Sequence, residues 1–431
     1  MTNEYLGYFR ISDKVAALAG ECEVGLAKRF ESLREVCEAG QYKVMAAFAK
    51  NRLSDTHFGF ATGYGAGDPG RDVTERIFAD VFGAEAALVR TQIVCGTHAL
   101  ALAFLGVLRP GDKLLYCNGA PYDSLWPTIG LNGEGKGQGA LSDLGVGYMQ
   151  AELTQAGGID YQALSKLLGD ASVRMAAVQR ATGYSERPAF TIRQIAEWAG
   201  FVRERRPDIV LMVDNCYGEF LELKEPTEVG ADIMAGSLIK NPGGGIALSG
   251  GYVAGRQDLV EKAAYRLACP GIGGEYGLTF GQTRPILQGL FLAPRTVMDA
   301  LKGAMLCGAV MERLGFSVFP GMDDPRSDII ETVRLGSPEA MAAFCLGIQA
   351  VSPVDAFVTP EAADMPGYSD RVIMASGAFV TGSSIELSAD GPIRPPYNLY
   401  FQGGLTYEHA KLGVMSAAQK LLDKGFAVIS G

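Results

Sequence analysis

The sequence predicts an α/β protein with a large, mostly parallel sheet and a smaller α/β lobe, on three observations. Between residues 86 and 254, short apolar runs alternate with helical or loop stretches, the order that builds a parallel sheet covered by helices. DIVLMV (208–213) and ADIMA (231–235) are apolar almost throughout, as strands buried on both faces are. The chain has 431 residues, more than one compact core holds, so a second lobe is expected.

Element by element, Ser12 is an N-cap candidate for a helix over 12–37, where apolar residues recur at 15, 18, 22, 26, 30, 33 and 37. A shorter helix is expected over 41–53, and this arm (1–60) precedes any strand. TGYGAGDPGRD (62–72) is loop chemistry, after which Asp72 and Glu75 predict a capping-box-like start to a helix through Phe82. AALVR (86–90) reads as a strand, THALALAFLGVL (97–108) as a helix, and KLLYC (113–117) as a strand after the Pro110-Gly111 turn. Further strands are expected at VRMAAV (173–178), DIVLMV, ADIMA and IALSGGYVA (246–254). GEGKGQGALSDLGVG (133–147) is too rich in glycine for a helix and reads as a long loop.

A connecting helix is expected from about Thr296 to Leu314. Beyond it, DIIETV (328–333), DAFVT (355–359), RVIMAS (371–376) and SIELSA (384–389) read as strands of the smaller lobe. The expected division is an N-terminal helical arm (1–60) belonging to the small domain, a large domain (61–295) and a C-terminal small domain (296–431). NLYFQG (398–403) has the look of a protease site from an expression tag. A helical pattern follows it, YEHAKLGVMSAAQKLLDKG, so it is read as part of the fold.

Composition narrows the function. A formal charge of −10 offers no basic face, which argues against nucleic acid or anionic membrane as partner and for a small-molecule ligand. No apolar stretch reaches the roughly 18 residues of a membrane span, and the N-terminus lacks the pattern of a signal peptide. A cytoplasmic protein is expected. Eight scattered cysteines without a CxxC pair, and three histidines, argue against a zinc site, and no metal is expected. GYGAGDPG (63–70) lacks the strand–turn–helix setting of a dinucleotide site, and GLNGEGKG (130–137) has glycine after Lys136 where a phosphate loop needs a hydroxyl.

The chemistry concentrates in SLIKNPGGGIALSGGYVAG (237–255), where Lys240 sits in an apolar run and is followed by Asn, Pro and three glycines. A buried lysine must lose its charge or find a partner. A Schiff base with pyridoxal 5′-phosphate meets that demand, and this cofactor also needs a carboxylate at its ring nitrogen, an anion site and an aromatic face. Asp214 ends the strand run IVLMVD, and neighbouring strands would bring it and Lys240 to one sheet edge. Gly96, Thr97 and His98 open a helix after the strand at 86–90, where backbone N–H groups converge. Ser237 and Thr97 can add hydroxyls, and the glycines after Lys240 are expected to keep bulk away from it. Tyr122 in GAPYDS is the candidate ring face, with His98 as its alternative. Structural roles stay open for each: a turn lysine, a helix-capping or ion-paired acid, an ordinary helix start, a half-buried loop tyrosine.

VDNCYGEF, EPTEVGADIMAGSLIKNPGGGIA, GGYVAG, PGIGGE, SPVDAFVTP, MPGY, SIELSADGPIRPPY and QGGLTYEH resemble the PLP-dependent family described as aluminium-resistance or methionine γ-lyase-like proteins. These are relatives of the cystathionine lyases, and the resemblance runs from about residue 55 to the C-terminus. It implies the PLP-dependent transferase-like fold type I, with a small domain built from both chain ends, and a homo-oligomer, dimer or tetramer, with shared active sites. By resemblance Lys240 is the Schiff-base lysine and Asp214 the partner of the ring nitrogen; Gly96, Thr97 and Ser237 fall at phosphate-binding positions. Tyr122 matches the stacking aromatic and completes the expected catalytic set of Lys240, Asp214 and Tyr122. Tyr64 fits a tyrosine that reaches the neighbouring subunit's phosphate, but Ala66 stands where an arginine would follow, with Arg71 as a substitute. For the substrate carboxylate the candidates are Arg394, in ADGPIRPPY, and Arg180, in VQRATGYS. The implied activity is elimination of a thiol from a sulfur-containing amino acid of the cystathionine, cysteine or methionine type. Transamination, racemisation, γ-replacement and a non-catalytic PLP-binding regulator use the same constellation.

Overall fold

The computed structural model describes residues 2–365 and 368–429. Met1, Ser430, Gly431 and the Pro366-Gly367 pair within MPGY lie outside the described residues. The first sheet has seven strands: β1 (Ala86–Arg90), β2 (Lys113–Tyr116), β3 (Gly147–Gln150), β4 (Val173–Gln179), β5 (Val210–Asp214), β6 (Ile233–Ser237) and β7 (Gly251–Gly255). Their order is β1-β7-β6-β5-β4-β2-β3, parallel throughout except for β7, which runs antiparallel to both neighbours. Burial on both faces explains the continuous apolar runs: Leu211 and Val213 pack into one core, Met212 and Ile233 into the other. Register pairs Gln179 with Asp214 and Asp214 with Ala235, so the ends of β4, β5 and β6 open at one edge.

The second sheet is antiparallel: β8 (Ser317–Phe319), β9 (Ile330–Arg334), β10 (Val372–Ala375), β11 (Ser388–Pro392) and β12 (Asn398–Gln402), in the order β10-β11-β12-β9-β8. β12 is the NLYFQ stretch, buried along its whole length and flanked by β11 and β9. It belongs to the fold.

Several boundaries differ from the sequence reading. The arm is a single helix, Asp13–Lys50, capped by Ser12, whose hydroxyl accepts from the Val15 amide at 3.4 Å. Gly40 does not interrupt it; a Cβ there would lie 3.2 Å from Pro294 Cβ of the connecting helix, so tight helix packing accounts for the glycine. The next helix is Pro69–Val81, and its cap is Asp68, which accepts from the Gly70 and Arg71 amides at 2.9 and 3.0 Å. Proline at the first helical position moves the start upstream of Asp72, and Glu75 instead pairs with Arg90 at 2.7 Å. The connecting helix starts earlier than Thr296 and runs Thr283–Arg313. DAFVT forms a turn, with Asp355 at φ 55° and Phe357 exposed; SIELSA pairs only from Ser388 onward; of IALSGGYVA only the part from Gly251 pairs. Among the described residues no helix is long and apolar enough to cross a membrane.

Candidate active site

The strand ends of the first sheet and the face of the second enclose a cavity of about 340 Å³, within the size of small-molecule sites. Asp214 closes β5 at its floor. It is buried, and its Oδ1 accepts from the Cys216 amide at 3.1 Å. Burial pushes its carboxyl up, opposed by the nearby Lys240 charge, the Cys216 N–H and Arg187. Lys240 follows the end of β6 and also lines the cavity, its ammonium 4.0 Å from the centre of the Tyr217 ring. Burial opposes that charge, yet Cys216, Tyr217, Asp214 and Glu219 around it outweigh the burial and hold the proton more tightly than in an ordinary lysine.

The glycines after Lys240 serve the backbone and not, as expected, clearance around the amine. A Cβ on Gly243 would fall 1.7 Å from the Leu238 carbonyl oxygen, and one on Gly244, at φ 53°, would fall 2.3 Å from the Gly289 oxygen. The turn that presents Lys240 is thus pressed against the connecting helix.

Cys95, Gly96 and Thr97 also line the cavity, beside Cys216 and Ser237, where the helix Gly96–Val107 begins. A helix's first N–H groups have no carbonyl partner within it, so this end offers donors and the positive end of the helix dipole. Thr97 Oγ1 lies 2.8 Å from Ser124 Oγ, and Ser237, buried at the end of β6, adds a third hydroxyl to the lining. A Cβ on Gly96 would approach Cys216 Sγ to 3.2 Å, so a side chain there would crowd the floor. Tyr122 lines the cavity with its hydroxyl 2.6 Å from that of Tyr368.

Six expected residues therefore meet in one cavity: Lys240, Asp214, Gly96, Thr97, Ser237 and Tyr122. Four do not line it. His98 turns its ring back to accept from the Val94 amide at 3.2 Å, because the next residue along a helix points some 100° away from Thr97. Arg180 is wholly buried on the far side of the sheet, donating to Asn215, Glu222 and Ser327 at 2.9, 3.1 and 3.2 Å. Gln179 beside it faces the cavity, and successive strand residues point to opposite faces. Arg394 is held by Asp370 at 2.8 Å and Asp123 at 3.6 Å, in a recess behind Tyr184 and Tyr400. Tyr64 is 77% exposed and stacks on Tyr276 at 5.3 Å. Arg71, the substitute considered beside it, is spent on the Gly65 carbonyl and on Asp72.

Sequence reasoning missed the second-sheet wall: Tyr368, Ser384, Asp390, Tyr400 and Gln402, together with Gln179 at the end of β4 and Tyr184 after it. Gln179 carried the signal used for Asp214, a polar residue ending an apolar strand. For Asp390 the only signal was an acid directly after the strand-like run SIELSA.

A mixed sheet with lysine and carboxylate at adjacent strand ends and a helix start facing them is the arrangement of the fold-type-I PLP-dependent enzymes. The same fold is found in the pyridoxal-5′-phosphate dependent protein YhfS of Escherichia coli, with a TM-score of 0.60 at 16% identity, covering 90% of this chain and 96% of that one. The model of the methionine gamma-lyase family matches residues 15–422, and the chain belongs to that family. It is 49% identical over 406 residues to the uncharacterized protein YnbB of Bacillus subtilis, covering 94% of this chain and 96% of that protein. A carbon-sulfur lyase involved in aluminium resistance from Clostridium novyi superimposes with a TM-score of 0.93 at 47% identity, covering 98% and 99% of the two chains. The cofactor that family and fold imply is pyridoxal 5′-phosphate. The residues present fit it: an amine, a carboxylate, a helix start with three hydroxyls and an aromatic ring line one cavity.

Proposed function

We propose that the protein is a PLP-dependent carbon–sulfur lyase that releases a thiol from a sulfur-containing amino acid of the cystathionine, cysteine or methionine type. The observation that carries this reading is the convergence of Lys240 and Asp214 at adjacent strand ends, facing the start of the helix Gly96–Val107. Pyridoxal phosphate, when bound, supplies an electron sink for a carbanion at the substrate's α-carbon. Lys240 is the residue to carry it and, once freed by the substrate's amine, to take the α-proton at Nζ. Asp214 keeps a proton on the ring nitrogen. Gly96 and Thr97 amides with the Thr97, Ser124 and Ser237 hydroxyls would hold the phosphate, and Tyr122 would supply the aromatic face for the ring. Burial pushes the Tyr122 and Tyr368 hydroxyls up, to about 12 for Tyr368, so both stay protonated; one donates to the other, and the second is left to donate to the departing sulfur. The products are a thiol, ammonia and a 2-oxo acid, with one water consumed.

The division into an arm (1–60), a large domain (61–295) and a small domain (296–431) fits this reading, the small domain forming the wall over the cofactor. Tyr64, Phe60 and Phe280 are exposed near one another in sequence or by the Tyr64–Tyr276 stack, a surface suited to a second copy whose phosphate Tyr64 would reach. Free cysteines throughout the described residues fit a reducing cytoplasm. The test is incubation of the cofactor-saturated protein with cystathionine, cysteine and methionine. Thiol and 2-oxo acid should appear with at least one; their absence with all three sinks the proposal.

A further inference from the structure

The wall formed by the second sheet carries a carboxylate that the reaction as described does not use. Asp390 lies on β11, is 4% exposed and lines the cavity. Its Oδ1 accepts from the Tyr184 hydroxyl at 2.6 Å and its Oδ2 from the Gln402 amide at 2.9 Å. Both donors are neutral, and among the described residues no cation pairs with it. Each oxygen keeps a lone pair free. Lys240 is the one cation among the described lining residues, and it has Asp214 beside it and the cofactor to carry. Burial pushes the Asp390 carboxyl up to about 6, opposed by the Tyr184 and Gln402 hydrogen bonds and by the charge of Lys240 across the cavity, which forms no ion pair with it. A buried carboxylate without a cation is costly, and a ligand that brings one recovers that cost.

The geometry points to Asp390 as a specificity-determining residue that takes a positively charged group on the leaving side of the substrate. The substrate class is then an α-amino acid thioether whose departing half bears an ammonium. A neutral side chain would leave the carboxylate unpaired, and an anionic one would be repelled by it. The inference rests on the lyase reading for the reaction, and its test is a binding measurement that stands apart from turnover.

The probes are L-ornithine and L-norleucine, which have side chains of equal length and no carbon–sulfur bond, and differ by a terminal ammonium in place of a methyl. Calorimetric titration of the holoenzyme should show ornithine binding roughly 10-fold or more tightly than norleucine, the scale of a hydrogen bond to a charged group. Asp390→Asn keeps the shape and should erase that preference while leaving norleucine affinity within about twofold. Tyr184→Phe removes a donor but leaves the charge and should keep the preference. Equal affinities in the wild type, an equal loss of both ligands in a folded Asp390→Asn protein, or loss of the preference in Tyr184→Phe would overturn the proposal. Should Asp390→Asn fail to fold, the wild-type ratio and Tyr184→Phe decide. If the preference holds and no thioether is cleaved, the lyase reading fails and the Asp390 site stands.

Discussion

The two sides of the cavity are built on opposite plans. The floor comes from the ends of β4, β5 and β6 and the turn after β6, so Gln179, Asp214, Ser237 and Lys240 are set by strand register. The wall comes from the antiparallel sheet and the chain around it, where Asp390 on β11 and Tyr400 and Gln402 on β12 meet Tyr368 and Ser384 from the loops beside them. On the floor a cation and an anion answer each other, whereas on the wall one acid stands among tyrosines and amides. Bond-breaking needs charges fixed to fractions of an ångström, which register on a doubly covered sheet supplies. Selecting a side chain needs a shaped surface, which a second lobe can supply without disturbing the floor.

That contrast predicts a ranking of effects. Lys240→Ala should lower kcat by roughly 10³-fold or more, and borohydride reduction followed by peptide mapping should then find no pyridoxyl adduct. An adduct on another lysine would dissolve the floor as drawn. Asp214→Asn should cost about 10²-fold in kcat with KM little changed, the mark of a group acting mainly in the transition state.

Beneath the floor, Glu219 is wholly buried, with the Tyr252 hydroxyl 2.6 Å from one oxygen and, among the described residues, no partner for the other. Burial pushes its carboxyl up from 4.5 to about 8. The folded protein therefore keeps a proton that the unfolded chain loses, and stability should fall as pH rises from near 4.5 through about 8. In Glu219→Gln the melting temperature should fall less steeply over that window; an unchanged slope would mean that the carboxylate is charged in place. Tyr368→Phe, on the wall, should change kcat only a few-fold, the scale of one neutral hydrogen bond. A loss as large as that of Asp214→Asn would move catalysis onto the wall and end the division proposed above.

Legibility in the sequence followed the same divide. Strands of the large sheet were readable because burial on both faces leaves apolar runs, and Asp214 and Lys240 because strand ends in such sheets gather polar groups. The start of the helix Gly96–Val107 was readable from its small residues. The start of the helix Pro69–Val81 and the run of the long helix through Gly40 were not: Asp68 competes with Asp72 for the cap, and Gly40 is explained only by Pro294 across from it. Arg180 shows the cost of reading neighbours together, since one residue along a strand reverses the face.

What the amino-acid sequence determined by itself is the class of sheet, the family, and the amine–carboxylate pair, because each is written in local pattern or in spacing along a continuous stretch. What only the tertiary structure decided is which side chains close the cavity over that pair. Asp390, Tyr368 and Gln402 acquire a role only when β11, β12 and the chain before β10 fold across the ends of β4, β5 and β6. Contacts between residues so far apart along the chain leave no periodicity to read.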